Sequence, residues 1–197
     1  MGRWEPNARG RLERAALELY GERGFEQTTV AEIAARAGLT ERTFFRHFAD
    51  KREVLFSGAA DLQELLVSTV AGAPESAEPI AAVAAALEAA ADLMQERREF
   101  AVQRSRVISA NAELQERELI KLASLSAAIA GALRERGVGD PAASLTAEVA
   151  IGVFKIAFER WVDDANQRAF PGLIRESLDE LTALTAVGRS PAPVAQP

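Results

Sequence analysis

The stretch Thr28–Phe48, TTVAEIAARAGLTERTFFRHF, reads as two short amphipathic helices and the turn that joins them. Thr29 is placed to cap the first helix with its hydroxyl, and Glu32 three residues on completes a capping box. The apolar face of this helix is Val30, Ile33, Ala34 and Ala37. Gly38 then supplies the left-handed residue that stops a helix without a Cβ penalty, Leu39 plugs the corner, and Thr40 caps a second helix. Phe44 and Phe48, at i and i+4, give that helix its core face and leave Thr40, Glu41, Arg42, Thr43, Arg46 and His47 around the rest. Such a helix-turn-helix can lay its second helix in a major groove with the first turn aimed at base edges, so the expected partner is double-stranded DNA.

Upstream, Leu12, Ala15, Ala16, Leu19 and Tyr20 follow one helical face and predict a helix over about Asn7–Arg23, ended by Gly24, with Phe25 returning to the same core. Three helices thus form an N-terminal unit. Downstream, Asp50 and Glu53 repeat the capping-box spacing and predict one long fourth helix, with Val54, Leu55, Leu62, Leu65, Leu66 and Val70 inward. The two prolines of residues 73–79 mark a loop. A fifth helix follows from Pro79 to about Arg98, its stripe of Ile80, Val83, Ala84, Leu87, Ala91 and Met94 rich in alanine. Further helices are expected over Glu99–Ser109, Glu113–Arg136 and Pro141–Asp164, and from Pro171 with Leu173, Ile174, Leu178, Leu181 and Leu184 as a stripe. The fold class is therefore all-α, a three-helix helix-turn-helix unit followed by a C-terminal helical bundle, about nine helices in total.

The helix over 141–164 is apolar on nearly every face through Leu145, Val149, Ile151, Val153, Phe154, Ile156, Phe158, Trp161 and Val162. One side is expected to pack inward and the other against a second copy, which makes the last two helices the expected homodimer interface. The closing GRSPAPVAQP, residues 188–197, reads as a disordered tail.

At 197 residues and 48% apolar the chain can bury a sizeable core. It has no cysteine, which excludes thiolate metal sites and cysteine nucleophiles, and a single histidine, which removes support for a metal cluster or a histidine-based triad. No cofactor is expected, nor an enzyme. The N-terminus lacks the apolar run of a signal peptide and no segment reaches the ~20 apolar residues of a membrane span, so the expected location is the cytoplasm and no membrane partner is expected. The net charge of −6 is unevenly spread: residues 1–52 hold ten Lys and Arg against eight Asp and Glu, the remainder thirteen against twenty-one. The acidic remainder would repel DNA and confine contact to the N-terminal unit.

The spacing of Thr29, Ile33-Ala34, Ala37-Gly38-Leu39-Thr40, Thr43-Phe44-Phe45 and His47-Phe48, followed by Lys51, resembles the TetR-type repressors. The resemblance is close through Lys51 and implies a homodimer on a palindromic operator, with an N-terminal DNA-binding domain over 1–50 and a ligand-binding and dimerisation domain over 51–187. It also implies release of DNA when a small apolar or amphipathic effector enters the C-terminal domain. RSRVISANAELQERELIKL and the later FERW resemble a subgroup that responds to acyl-CoA-type ligands. The second of the paired aromatics is often tyrosine in these proteins and is Phe45 here, so only apolar contact is open to it, to a thymine methyl or a sugar edge.

The candidate DNA-contacting residues are Thr28, Thr29, Thr40, Glu41, Arg42, Thr43, Phe45, Arg46, His47 and Lys51, with Arg42 placed in the first turn for a guanine edge and Lys51 for a phosphate. The plain alternative for Arg42, Arg46 and Lys51 is a solvated surface charge. Phe100, Arg104, Phe154, Phe158 and Trp161 are candidate ligand contacts, the alternative for the aromatics being ordinary core. Arg97, Arg98, Arg104 and Arg106 are either a solvated face or a patch for phosphates. A DNA-binding protein whose bundle only dimerises, without an effector, is the competing expectation.

Overall fold

The computed structural model describes residues 7–187, and the expected tail over 188–197 lies outside them. Among the described residues there are nine α-helices: α1 Ala8–Arg23, α2 Val30–Arg36, α3 Glu41–His47, α4 Ala59–Gly72, α5 Pro79–Gln95, α6 Arg98–Ser109, α7 Ala112–Glu135, α8 Ala142–Val162 and α9 Phe170–Val187. A single 3-10 turn, Glu53–Phe56, precedes α4, and there is no strand among the described residues. The chain divides into two compact units. Of the described residues, the first holds 7–64 together with Arg97–Leu125, and the second holds Leu65–Glu96 and 126–187. This is a division by compactness. The boundary at 50/51 expected from the sequence is one of roles.

In the first unit Leu12, Ala15, Ala16, Leu19 and Tyr20 of α1 meet Phe25, Ile33 and Ala37, Phe44 and Phe48 in one buried cluster. Local signals set each boundary. Thr29 and Glu32 form the capping box at α2. At its other end Leu39 N–H donates to the Ala34 carbonyl and Gly38 N–H to Ala35, with Gly38 at φ +65°, a Schellman ending. Thr40 then accepts from the Thr43 amide at 3.2 Å and starts α3. Arg36 reaches Glu18 and Glu22, and Arg23 reaches Glu32, so α2 is also held to α1 by exposed ion pairs of modest worth.

The long fourth helix expected from Asp50 is interrupted. Asp50 accepts from the amides of Arg52 and Glu53, but the turn it caps is the 3-10 segment, and α4 begins only at Ala59. Val54, Leu55 and Phe56 are all buried, and since three consecutive residues cannot share one face of a helix, this short turn is enclosed on more than one side before the break at Ser57-Gly58. By length and composition Glu53–Gly72 could cross a membrane; here this break divides it, and Val54, Leu55, Phe56, Leu66 and Val70 are buried in protein.

The first unit's core also takes in Ile108 of α6 and Leu114 of α7, with Phe100 and Val107 packed against it. Three helices do not complete it.

In the second unit α5, α8 and α9 pack on one another. Ala82, Ala86 and Ala90 of α5, Ala143, Ala147, Ala150 and Ala157 of α8, and the stripe Phe170, Leu173 and Ile174 of α9 are all nearly inaccessible. Small side chains let these helices approach closely. Trp161 and Phe170 stack at 4.6 Å, with Phe154 and Phe158 against them. Gln95 accepts from the Phe170 amide at 2.7 Å and so caps α9 one residue before the expected start. Ile80 and Leu184, expected inward, are 43% and 76% exposed. Helix α8 is two-faced: Leu145 and Ile156 are 62% and 54% exposed on the side away from its alanines.

Candidate nucleic-acid interface

Helix α3 is fixed by Phe44, fully buried, and by the Phe48 ring 5.5 Å from it. At about 100° per residue, Arg46 and Arg42 then lie opposite the core, Phe45 on one flank and Thr43 and His47 on the other. Glu41, Arg42, Phe45, Arg46 and His47 are exposed, Thr43 half-buried. Arg23, Arg36 and Arg52 each carry an ion pair, whereas Arg42 and Arg46 have none among the described residues. Two unpaired guanidinium groups on the outward face of a helix are donors held ready for a polyanion or for guanine edges.

The threonines divide. Thr40 and Thr29 are exposed caps at the starts of α3 and α2, and the Thr29 hydroxyl lies 2.9 Å from the Glu32 carboxylate. The backbone amide of Thr29, and then its hydroxyl, hold the Glu32 carboxyl below the usual carboxylate range. Thr28 is a correction. It is 1% exposed, and its hydroxyl donates to the Gly24 carbonyl at 2.9 Å, so the side chain closes the end of α1 and has no surface to offer DNA.

Lys51 is a second correction. Its ammonium donates to the carbonyls of Phe25, Glu26 and Thr28 at 2.8, 3.2 and 2.9 Å and sits 4.4 Å from the Phe25 ring centroid. An ammonium has three hydrogens, and all three are engaged, so no donor is left for the phosphate contact expected of it. Its own carbonyl accepts from the Tyr20 hydroxyl at 2.6 Å, and burial, with the Asp50 carboxylate adding, pushes that phenol above its ordinary range. Lys51 therefore braces the α1–α2 loop. Nothing local in the sequence marks this, because the partners are carbonyls more than twenty residues away.

Arg9 lies near the end of α3, a placement that nothing in the sequence marks. Its guanidinium lies 5.8 Å from the Phe48 ring and donates to the Ser57 carbonyl, and it borders an open cavity of about 240 Å³ with His47, Ala49, Glu53 and Lys121.

The candidate ligand residues separate into two groups. Phe100 packs on the first unit's core, with the Arg97 guanidinium over its ring at 4.5 Å. Arg104 lies in the same unit: it donates to the Leu55 carbonyl at 2.6 Å, pairs with Glu118 at 2.8 Å and stacks over Phe56. Its charge is used internally, as is that of Arg97, paired with Glu13. The expected patch for phosphates thus loses two of its four arginines. Phe154, Phe158 and Trp161 are in the second unit, joined by Phe170, whose part in the cluster the sequence did not reveal.

The chain is similar to known regulatory proteins. Residues 13–57 match the family described as bacterial regulatory proteins, tetR family, and residues 77–186 match the MftR C-terminal domain. The HTH-type transcriptional regulator TcmR of Streptomyces glaucescens is 38% identical over 81 residues, 41% of this chain but only 36% of that regulator's length. The fatty acid degradation regulator FadR from Bacillus halodurans superposes with a TM-score of 0.65 at 17% identity, covering 91% of this chain and 96% of that one. FadR from Bacillus subtilis, solved in complex with stearoyl-CoA, gives 0.63 at 20% identity over 87% and 96%. At these identities the structures establish likeness of fold.

Proposed function

The chain belongs to the TetR family of bacterial regulatory proteins and is a transcriptional regulator, not an enzyme; we propose that it is a cytoplasmic repressor that binds a palindromic operator as a homodimer and is released by a small-molecule effector. The observation that carries the DNA-binding part is α3, whose Arg42 and Arg46 are exposed and unpaired on the face opposite a core anchored by Phe44. Thr29, Thr40, Glu41, Thr43, Phe45 and His47 surround them as further contacts. A helix of seven residues offers few base contacts, so specific binding needs two copies, about one helical turn of DNA, roughly 34 Å, apart.

The dimer is supported by α8. Leu145, Val149, Gly152 and Ile156 follow i, i+4, i+7, i+11, the spacing of a helix–helix seam, and none of the four is buried within the chain. Gly152 would let a second helix approach there. The α8 and α9 helices of two copies would form the four-helix interface.

For the effector, the interior of the second unit favours an apolar or amphipathic molecule: its core side chains are aliphatic and aromatic, with Ser126 and Ser177 the buried polar residues there. Phe154, Phe158 and Trp161 are the contacts proposed for it. The likeness in fold to a protein solved with stearoyl-CoA keeps an acyl-CoA-like molecule among the candidates. A ligand acts by binding the DNA-incompetent arrangement more tightly, and shifts the population by that difference in affinity. One observation favours the effector-free reading: Trp161 and Phe170 stack at 4.6 Å with no exposure, so a ligand seated between them must part the rings.

Selection of binding sites from a random DNA pool tests the first part, an enriched palindrome being expected. A thermal-shift screen tests the second: large shifts with one chemical class mark a sensor, and indifference to every class leaves a dimeriser.

A further inference from the structure

We propose that Phe45 is a methyl reader, recognising the C5 methyl group of a thymine in the operator's major groove. The inference rests on the DNA-binding reading above and extends it to one chemical group on one base.

Phe45 is 57% exposed, although its neighbours in the same aromatic run, Phe44 and Phe48, are 0% and 4%. Single exposed apolar residues are common and need no explanation by themselves. The placement of this one is what matters. It lies on the reading helix, beside Arg42 one turn earlier and Arg46 next to it, both charged and without ion-pair partners among the described residues. An apolar partner surface would have to desolvate those two guanidinium groups without compensation, whereas DNA satisfies them. The same geometry therefore names the occupant of the ring's exposed face.

The ring is also held in place. It stands edge-on to Phe44, centroids 5.5 Å apart and planes at 83°, and Phe44 is locked in the core. What the ring can recognise follows from what it lacks. It has no donor and no acceptor, so phosphate oxygens and the polar base edges gain nothing from it. Among the four base pairs the major groove presents one apolar group, the thymine methyl. A sugar edge is apolar too, but it is the same at every nucleotide and would leave no trace in sequence preference.

The test alters the DNA, so that the protein's folding does not enter. In the operator found by selection, each thymine is replaced in turn by deoxyuridine, which removes the methyl and nothing else, and binding to the full chain is measured at fixed salt. Loss of one buried methyl-sized contact corresponds to about fourfold in affinity, and about fifteenfold when both half-sites are changed. One position per half-site should show this loss, and the loss should disappear in Phe45→Ala, whose circular dichroism and melting curve should match the parent because the ring is exposed. Deoxyuridine duplexes that all bind within twofold of the thymine operator would overturn the assignment while leaving sequence-specific binding intact. So would a methyl effect that persists undiminished in Phe45→Ala, since another side chain would then be its reader. Failure to select any operator would instead strike at the DNA-binding reading on which the proposal rests.

Discussion

Replacing Lys51 by methionine separates two accounts of that residue. The ammonium bonds three carbonyls, those of Phe25, Glu26 and Thr28, and sits over the Phe25 ring. Methionine keeps the stem and removes the donors. A hydrogen bond from a charged donor contributes about 1.5–3 kcal/mol, but three bonds from one half-exposed ammonium do not add in full, and the expected loss is about 2–4 kcal/mol. For a chain of this size that lowers the melting midpoint by about 4–16 °C. The assay is thermal unfolding followed by circular dichroism, paired with the salt dependence of operator binding. A brace gives a lower midpoint and, at temperatures where the variant is folded, an unchanged salt slope. A phosphate contact gives the reverse: a midpoint within about 1 °C of the parent and a slope shallower by about one. That second pattern would refute the reading of Lys51 as an internal brace.

The aromatic run offers a contrast in stability: Phe44→Ala, at a fully buried site, should cost about 3–5 kcal/mol in urea unfolding, whereas Phe45→Ala should change it by under about 1 kcal/mol. Ile156→Glu places a carboxylate in the proposed seam of α8 and should yield a monomer by light scattering at micromolar concentration with helicity intact, since the residue is 54% exposed in the single chain. A persistent dimer would move the interface elsewhere. At Asp50 burial acts to raise the carboxyl's pKa, but hydrogen bonds from the Arg52 side chain and from the amides of Glu53 and Arg52 outweigh it and leave the group titrating low. A carboxyl held low in the folded state stabilises above its unfolded value, near 4, and that contribution is lost as pH falls through the folded value. Urea midpoints should therefore drop between about pH 5 and 3, and less steeply in Asp50→Asn.

What was legible in the sequence was what short-range chemistry encodes. Thr29 with Glu32, the glycine at Gly38, the cap at Thr40 and the i, i+4 pair Phe44 and Phe48 each act within one helical turn, and together they define α2, α3 and the turn between them. The helices of the second unit followed from periodicity, and the apolar excess of α8 from the need of two faces for cover. The illegible parts depend on distance. Thr28 and Lys51 carry residue types suited to phosphate contact, yet the carbonyls at the end of α1 claim their donors. Arg104 looked like a charge awaiting a ligand until Leu55 and Glu118 came within reach. Ile108 and Leu114 join the core of α1–α3 although a stretch of more than fifty residues intervenes, and no local pattern reports that. Asp50 and Glu53 had the spacing of a capping box. The Glu53 carboxylate instead bonds Arg117, and a 3-10 turn stands where the long helix was expected.

The central claim is that the outward face of α3 reads DNA sequence. Its most direct test is the ratio of affinities for the selected operator and for random duplex, measured by fluorescence anisotropy at one salt concentration, in the parent and in Arg42→Ala/Arg46→Ala. Each base contact supports about 1–3 kcal/mol of discrimination. With both arginines lost from both half-sites, the ratio should fall by about a hundredfold or more while the fold and the dimer persist. An unchanged ratio, with both duplexes weakened alike, would mean that these side chains only touch the backbone and that α3 is not the element that reads the operator.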